Sequence, residues 1–387
     1  MSGALRLAWR YVSYHKVRSA ILVLCIALVC ALPIAVQALV ETQAQGMTAR
    51  ARSTPLVAGA KGSRYDLILN ALYFRGRVPG EVAMAEAQAI AAGGLAEPIP
   101  ILSRQRAQGF AVVGTTPDYY RFRGLRAAHG SIPLTLGDAT LGAEAARTLG
   151  VDVGDHVQTD AGNLYDLGLS YPLRMKVVGV LAAAGTPDDH AVFVDIKTAW
   201  IIEGIGHGHR GPGVARPERV LEREESNVIF NAGLFEYNEI TAENIGSFHF
   251  HGDRSAFPLT AILVLPRDAR SATKLKAQFR LSKSAQVLVP LEVVEEIFGF
   301  VMRVKVFFDA HVALVAVATG LFLLLIVLLV LRVRRRELET LERIGIARGA
   351  VALLLALEWS IIVAAGLLVA AAVAWGLLEA VRGAWVL

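Results

Sequence analysis

Five histidines in the central part of the chain could provide imidazole ligands for a metal ion. They form three groups along the sequence: His190, the pair His207 and His209, and the pair His249 and His251. Imidazole nitrogen is a preferred ligand of zinc and of other divalent transition metals. A His-x-His pair in a strand places both rings on one face, as shared coordination requires. A zinc site is therefore one hypothesis, and a set of polar loop residues in contact with water is the alternative.

A densely charged segment, RVRRRELETLERIGIARGA at residues 332–350, lies between two long apolar runs and is called the coupling segment below. Its apolar residues Leu338, Leu341 and Ile344 share one face of a short predicted helix, while charged residues cover the other faces. Such a helix could dock in a groove on a soluble partner. Because basic residues also bind anionic lipid, a solvated helix held by headgroups is the alternative.

Three apolar runs, at residues 20–40, 312–331 and 351–378, are each long enough to cross a bilayer, since about 20 helical residues span roughly 30 Å. Hydrophobic residues make up 54% of the chain and charged residues 19%. Basic residues cluster before the first run and in the coupling segment, which places both regions in the cytosol by the positive-inside rule. We therefore predict three spans, with residues 41–309 and the tail at 379–387 outside.

The third apolar run contains one charged residue, Glu358. A carboxylate within the membrane is costly and needs a partner, so we expect it to form an interhelical hydrogen bond. Gly366 and Gly376 in the same run would allow close helix packing, and this face is a candidate dimer interface rather than a substrate path.

The segment between the first two spans has the pattern of an α+β domain. Helical and strand patterns alternate before residue 115 and again after residue 260, and we expect these two pieces to pack together around a β-rich insertion at about 116–255. The glycine-rich run at 204–213 is predicted to be a loop. Both cysteines, Cys25 and Cys30, fall in the first apolar run, so the outer domain has no disulfide.

Several classes of function are excluded or disfavoured by the sequence. The GAKGS run at 59–63 lacks the spacing of a Walker loop, and neither a GxSxG nor an HExxH pattern occurs. The net charge of +5 is accounted for by the juxtamembrane clusters and does not indicate nucleic-acid binding. We therefore predict a chain without catalytic residues.

Four stretches resemble the FtsX-like, MacB-type permease subunits of ABC transporters. They are VVGTTPDY at 112–119, the run LGAEAARTLGVDVGD ending at Asp155, VVGVLAAAGTPDDHAVFVDIKTAW at 177–200, and the coupling segment. In the coupling segment, the residues at the positions of the family pattern are Arg336, Glu337, Leu341, Gly345 and Arg348, with Leu338 and Ile344 added by the apolar stripe.

The resemblance implies a homodimer in a bacterial inner membrane that docks two copies of an ABC ATPase, which would bind ATP and Mg²⁺. This chain would bind no cofactor directly, although zinc remains possible, and its other partners would be membrane lipids and a periplasmic binding or adaptor protein. The substrate would be exported across the membrane or extracted from it. Two alternatives stay open: a regulatory membrane anchor that activates a periplasmic partner without transport, and a zinc-linked permease that uses the outer-domain histidines.

The predicted organisation combines the apolar runs with this resemblance. It comprises a cytosolic amphipathic helix at 1–19, span one at 20–40, a periplasmic MacB-like core domain at 41–309, span two at 312–331, a cytosolic coupling helix at 332–350, span three at 351–378 and a short tail at 379–387. The family's usual fourth span has no counterpart after residue 378, so we expect it to be absent, cut off in a shortened chain or supplied by a partner.

Overall fold

A computed structural model describes residues 2–160, 172–208, 220–224, 227–230, 238–344 and 346–384. The chain forms two compact units. The first, called the helical unit, comprises Met1–Gln45 and Phe298–Leu387, and the second, called the outer unit, comprises Gly46–Ile297.

The α-helices of the described residues fall into a long, apolar group and a short group. In chain order they are α1 Ser2–Tyr14, α2 Lys16–Arg52, α3 Arg64–Tyr73, α4 Met84–Ala92, α5 Pro117–Arg123, α6 Ala143–Leu149, α7 Ile196–Ile202, α8 Ala269–Leu281, α9 Pro290–Val333, α10 Arg335–Arg343 and α11 Arg348–Ala384.

The β-strands are short and belong to the outer unit. The first nine are β1 Leu56–Ala60, β2 Val82–Ala83, β3 Ala96–Ile101, β4 Arg106–Ala107, β5 Phe110–Thr115, β6 Ala127–Gly130, β7 Asp138–Leu141, β8 His156–Gln158 and β9 Arg174–Leu181. The others are β10 Ala191–Asp195, β11 Gly206–Gly208, β12 Val220–Glu224, β13 Asn227–Phe230, β14 Phe248–Phe250, β15 Pro258–Leu259, β16 Ala261–Pro266 and β17 Ala285–Leu288.

Three helices of the described chain, α2, α9 and α11, are long and apolar enough to cross a membrane. They contain the three predicted runs and extend beyond them at both ends. The amphipathic N-terminal helix α1 ends at Tyr14 and is separated from α2 by His15, so the two are distinct helices. In α1, Ala8 is fully buried while Leu5 and Trp9 are more than half exposed, and an interfacial position for this helix stays a prediction.

One sheet of the outer unit joins the two ends of its sequence. Its strand order is β17-β1-β16-β3, and all of its pairs are antiparallel. Strands before residue 102 therefore pair with strands after residue 260, as the sequence predicts. The GAKGS run comprises the last two residues of β1 and the turn that leads to α3, where the Ser63 side chain accepts a hydrogen bond from the Asp66 amide and caps the helix.

A seven-stranded mixed sheet occupies the middle of the outer unit. Its order is β4-β5-β10-β7-β9-β6, with β8 paired to β9, and the pairs β5–β10 and β7–β9 are parallel. The helix and strand pattern predicts that β5 belongs to the early piece, but β5 instead pairs with β4 and β10 in this sheet. Its buried valines, Val112 and Val113, lie beside the fully buried Val192 and Phe193 of β10, which explains the pairing.

The glycine-rich run at 204–213 is not wholly a loop. Residues Gly206–Gly208 form β11, which pairs antiparallel with β14, and the positions from 209 onward in the run lie outside the described residues. The loop prediction was therefore wrong at this strand, because the glycines meet a partner strand whose phenylalanine rings cover them.

Candidate functional site

The coupling segment contains the short helix α10, between the long helices α9 and α11. Arg336 and Ile344 are exposed, the latter by 72%. For four other predicted coupling residues the structure describes only the backbone: Glu337, Leu338 and Leu341 lie in α10, and Arg348 begins α11. Gly345 lies outside the described residues. The apolar stripe therefore stays a prediction.

A buried ion pair lies where α10 begins. Arg334, the residue between α9 and α10, donates from Nη1 to Oε2 of Glu358 in α11 at 2.9 Å, and the two side chains are 9% and 3% exposed. The guanidinium also lies 3.8 Å from the centre of the Tyr11 ring of α1. Because an unpaired charge among apolar helices is costly, this pair fixes where the chain can turn from α9 into α10.

The two glycines predicted to pack against other helices differ in their surroundings. A Cβ at Gly366 would lie 2.7 Å from Cγ2 of Ile26 in α2, so α2 and α11 approach closely there. At Gly376 no atom of the described structure lies within 4 Å of the corresponding position. Gly366 is therefore a close packing point within this chain, and a surface for a second copy at Gly376 remains a proposal.

A buried hydrogen-bonded cluster, called the Arg50 anchor, lies in the outer unit and consists of Arg50, Asp188, Tyr119 and the Leu72 carbonyl. The guanidinium of Arg50 donates from Nη1 to Asp188 Oδ2 at 2.7 Å and from Nη2 to Oδ1 at 2.8 Å. It also donates from Nη2 to the Tyr119 hydroxyl at 2.8 Å and from Nε to the Leu72 carbonyl at 2.5 Å. Such a bidentate fork is among the strongest protein hydrogen-bond arrangements.

Each part of the Arg50 anchor comes from a different element. Arg50 lies in the last turn of α2, Leu72 in α3 and Tyr119 in α5, while Asp188 belongs to a short 3₁₀-helix at Pro187–His190. Tyr119 donates to Asp188 Oδ1 at 2.6 Å and its ring packs 5.7 Å from Phe193 of the seven-stranded sheet. The end of α2 is thereby joined to α3, beside the four-stranded sheet, and to the seven-stranded sheet.

In the Arg50 anchor, burial and the neighbouring positive charge have opposite effects on the pKa of Asp188. Burial by itself would raise the pKa of Asp188, but the adjacent Arg50 guanidinium and the hydrogen bonds from Arg50 and Tyr119 lower the pKa of Asp188 overall. Burial likewise raises the pKa of Tyr119, so the hydroxyl stays neutral and donates to the carboxylate. The cluster therefore contains one cation and one anion at neutral pH and has a structural rather than a catalytic arrangement.

Sequence reasoning missed this cluster. Tyr119 and Asp188 both fall in stretches that carry the family resemblance, VVGTTPDY and GTPDDH, but Arg50 lies in the run ARAR after the first apolar segment, where a solvated arginine is the simplest expectation. No local signal links this arginine to an aspartate that lies 138 positions away in the sequence.

The predicted metal ligands separate into two places. His207, His249 and His251 come together, with one ligand atom from each residue lying within 4.8 Å of the others. His190 is half-buried at the end of the 3₁₀-helix and is not part of this group, and burial lowers the pKa of its imidazole. His209 lies outside the described residues.

Comparison with known proteins identifies the family. The sequence profile of the MacB-like periplasmic core domain matches residues 19–280, more than half of the chain. Among solved structures, the periplasmic region of MacB from Actinobacillus actinomycetemcomitans is 11% identical with a TM-score of 0.36, and the match covers 64% of this chain and 94% of that one. The extracellular domain of the noncanonic ABC-type transporter YknZ from Gram-positive bacteria is 11% identical with a TM-score of 0.33, and the match covers 60% and 98%.

No curated protein sequence matches the chain. The profile match agrees with the α+β content of the outer unit and with the three apolar helices. The chain belongs to the family of MacB-like permease subunits of ABC transporters.

Proposed function

We propose that this chain transmits movement from a separate ATPase subunit to its own outer unit, as the permease of a homodimeric inner-membrane complex with two ATPase copies. The observation that carries the proposal is the short charged helix α10 between two helices long enough to span a membrane. A hydrophilic helix held between two spans is positioned to contact a soluble partner at the membrane surface. The export or extraction of a substrate would follow from the movement of the outer unit.

The ion pair at the start of α10 supports a transmitting role. Arg334, which precedes α10, forms an ion pair with Glu358 of α11. A force on α10 would therefore be transmitted to α11. Within α10, Arg335 donates to Glu339 at 2.9 Å one turn away, which stabilises the helix while leaving its surface polar. Helix α10 is thus a stable helix with exposed charged residues on its surface.

The Arg50 anchor supports the same role in the outer unit. Helix α2 begins before the first predicted span and runs without a break to Arg52, and Arg50 is bonded to three separate elements. Because a helix is stiff along its axis, a displacement of α2 would be passed to these elements. The N-terminus and the coupling segment are proposed to lie in the cytosol and the outer unit in the periplasm, following the basic residues that flank the spans.

Charge reversal of the coupling helix tests the proposal. Tagged full-length protein is purified from native membranes, and the ATPases that co-purify are identified by mass spectrometry and assayed. We expect Arg336→Glu combined with Arg343→Glu to abolish co-purification and the stimulation of ATPase activity. The matched control is Lys276→Glu combined with Arg280→Glu, which reverses two exposed charges on α8 of the outer unit. If both variants retain the ATPase and its stimulation, the coupling segment is not the docking site.

A further inference from the structure

Three histidines occupy neighbouring positions on one face of the two-stranded antiparallel sheet of β11 and β14, which pair across a long stretch of sequence and are called the histidine hairpin below. In this ladder His207 lies directly opposite His249. His251 follows two residues after His249, and its amide donates to the Ile205 carbonyl at 3.3 Å, which continues the pairing. Since alternate residues of a strand point to the same face, the register itself brings the three rings together, with centroids 4.8–5.0 Å apart.

The opposite face of the histidine hairpin is anchored to the core. Phe248 and Phe250 alternate with the histidines and pack against the core of the outer unit, where the Phe250 ring lies 6.4 Å from that of Trp200. A Cβ at Gly206 would lie 2.7 Å from the Phe250 ring, and one at Gly208 would lie 2.6 Å from the Phe248 ring. The two glycines therefore accommodate the phenyl rings, and this packing sets the position of the histidine face.

The ring of one histidine is oriented by a hydrogen bond to a backbone carbonyl. His249 Nδ1 lies 3.0 Å from the Ser247 carbonyl oxygen. A carbonyl can only accept, so Nδ1 must carry the hydrogen, and in the neutral ring the lone pair is left on Nε2. Metal-binding histidines commonly donate their second ring nitrogen to a backbone carbonyl in this way, which orients the ring and raises its basicity.

We propose that His207, His249 and His251 form a binding site for a divalent transition metal, with zinc as the probe ion. Zinc–nitrogen bonds of about 2.0–2.1 Å place tetrahedral ligands ~3.4 Å apart, so ligand atoms within 4.8 Å need only small side-chain rotations to close around an ion. His251 is exposed, which leaves a fourth position open to water or to another ligand. Imidazole ligands favour zinc, copper or nickel over magnesium and calcium.

The site would join two segments that are distant in sequence. β11 ends at Gly208 and β14 begins at Phe248, so a bound ion would bridge two strands that are not consecutive in the chain. An ion that binds only the folded protein adds stability, because binding draws the folding equilibrium toward the folded state. Metal binding should therefore raise the melting temperature as well as appear in a direct titration. This inference concerns the outer unit alone and stands whether or not α10 docks an ATPase.

Titration of the full-length protein tests the site. Chelator-treated protein in detergent is titrated with zinc chloride by calorimetry, and cobalt(II) is added separately to record the visible absorption that marks a tetrahedral nitrogen site. We expect one ion per chain, the tetrahedral cobalt spectrum and a raised melting temperature. His251→Ala should weaken zinc binding by more than the roughly 10–100-fold typical of losing an outer-shell partner, because it removes a ligand. His249→Ala should do the same.

A matched control removes a histidine outside the group. His129→Ala takes away another exposed imidazole of the outer unit, on β6, and should leave the affinity and the cobalt spectrum unchanged. Because His251 is exposed, its replacement should not unfold the protein, and an unchanged circular dichroism spectrum verifies this. The proposal is overturned if the wild type binds no zinc at micromolar concentrations, or if His251→Ala binds it as tightly and with the same cobalt spectrum.

Discussion

Arg50 and Asp188, 138 positions apart in the sequence, form a bidentate ion pair whose side chains are 6% and 1% exposed. A buried pair of this kind is seldom a large net source of stability, because desolvation offsets most of the attraction between the charges. The pair instead fixes the geometry, because both hydrogen bonds between the guanidinium and the carboxylate form in only one relative arrangement of the two groups. The last turn of α2, which belongs to the outer unit, is consequently held in a defined position against α3, α5 and the 3₁₀-helix.

Removal of one partner of this pair should destabilise the outer unit strongly. Arg50→Ala and Asp188→Ala each leave an uncompensated buried charge, for which we expect a loss of roughly 3–5 kcal/mol in the free energy of unfolding. The double variant should lose less than the sum of the two single losses. Trp200 is the one tryptophan between residues 46 and 297, so urea unfolding can be followed by its fluorescence once the other tryptophans are replaced by phenylalanine. Additive losses would contradict the pairing.

The same pair should make stability depend on acid pH. Since the pKa of Asp188 is lower in the folded protein than the value of about 3.9 in an unfolded chain, its ionisation stabilises the fold. That contribution is complete above the unfolded pKa and is lost as the pH falls through the folded pKa. Urea unfolding measured at steps from pH 7 down to about pH 3 should show wild-type stability falling more steeply than that of Asp188→Asn, which has no proton to gain. Parallel curves would contradict this assignment.

Arg334 and Glu358 allow a charge-exchange test in the helical unit. Arg334→Glu places two carboxylates together among apolar helices and should lower the melting temperature and the yield of the protein in detergent, as should Glu358→Arg. The exchange variant Arg334→Glu with Glu358→Arg restores opposite charges and should recover most of the loss, which size-exclusion chromatography after heating can measure. Failure of the exchange to recover either property would show that the pair is incidental.

Gly366 and Gly376 form a matched pair for testing helix packing. The Cβ of an alanine at Gly366 would clash with the Ile26 side chain and would also lie near the Val23 carbonyl oxygen. We therefore expect the free energy of unfolding to fall by about 1–3 kcal/mol. Alanine at Gly376 meets no described atom and replaces a poor helix former, so it should be neutral or slightly stabilising in the monomer. Thermal melting in detergent distinguishes the two variants. Equal effects would mean that α2 and α11 do not pack at Gly366.

The histidine hairpin can be disturbed without removing a ligand. Gly206→Val would displace the Phe250 ring and shift the strand that carries His207, so zinc affinity should fall by about tenfold or more. The control is Gly246→Val, at a position with open space around it and close to the same hairpin in sequence. Calorimetric titration of both variants with zinc measures the difference. A Gly206→Val variant with wild-type affinity would show that the glycine packing does not position the ligands.

The sequence by itself determined the features that depend on local pattern. Three apolar runs long enough to span a bilayer indicate α2, α9 and α11, because length and hydropathy are properties of each segment alone. Apolar patterning likewise indicates strands such as β9 and β10. The repeated helix and strand pattern at the two ends of the domain indicated that these ends pack together, as β3 and β16 do. The four stretches that resemble the MacB-type permeases together indicated the family that the profile match establishes.

The tertiary structure decided which distant side chains meet. Five histidines were equivalent candidates in the sequence. Strand register brings His207, His249 and His251 together, whereas His190 lies on a 3₁₀-helix apart from them and His209 lies outside the described residues. Gly206 and Gly208 indicate a loop when only the local sequence is considered. In the structure they are strand residues, because phenylalanine rings of β14 cover them. The Arg50 anchor has the same cause: a charge on a helix end carries no local sign of its partner, because burial and pairing exist only after the elements pack together.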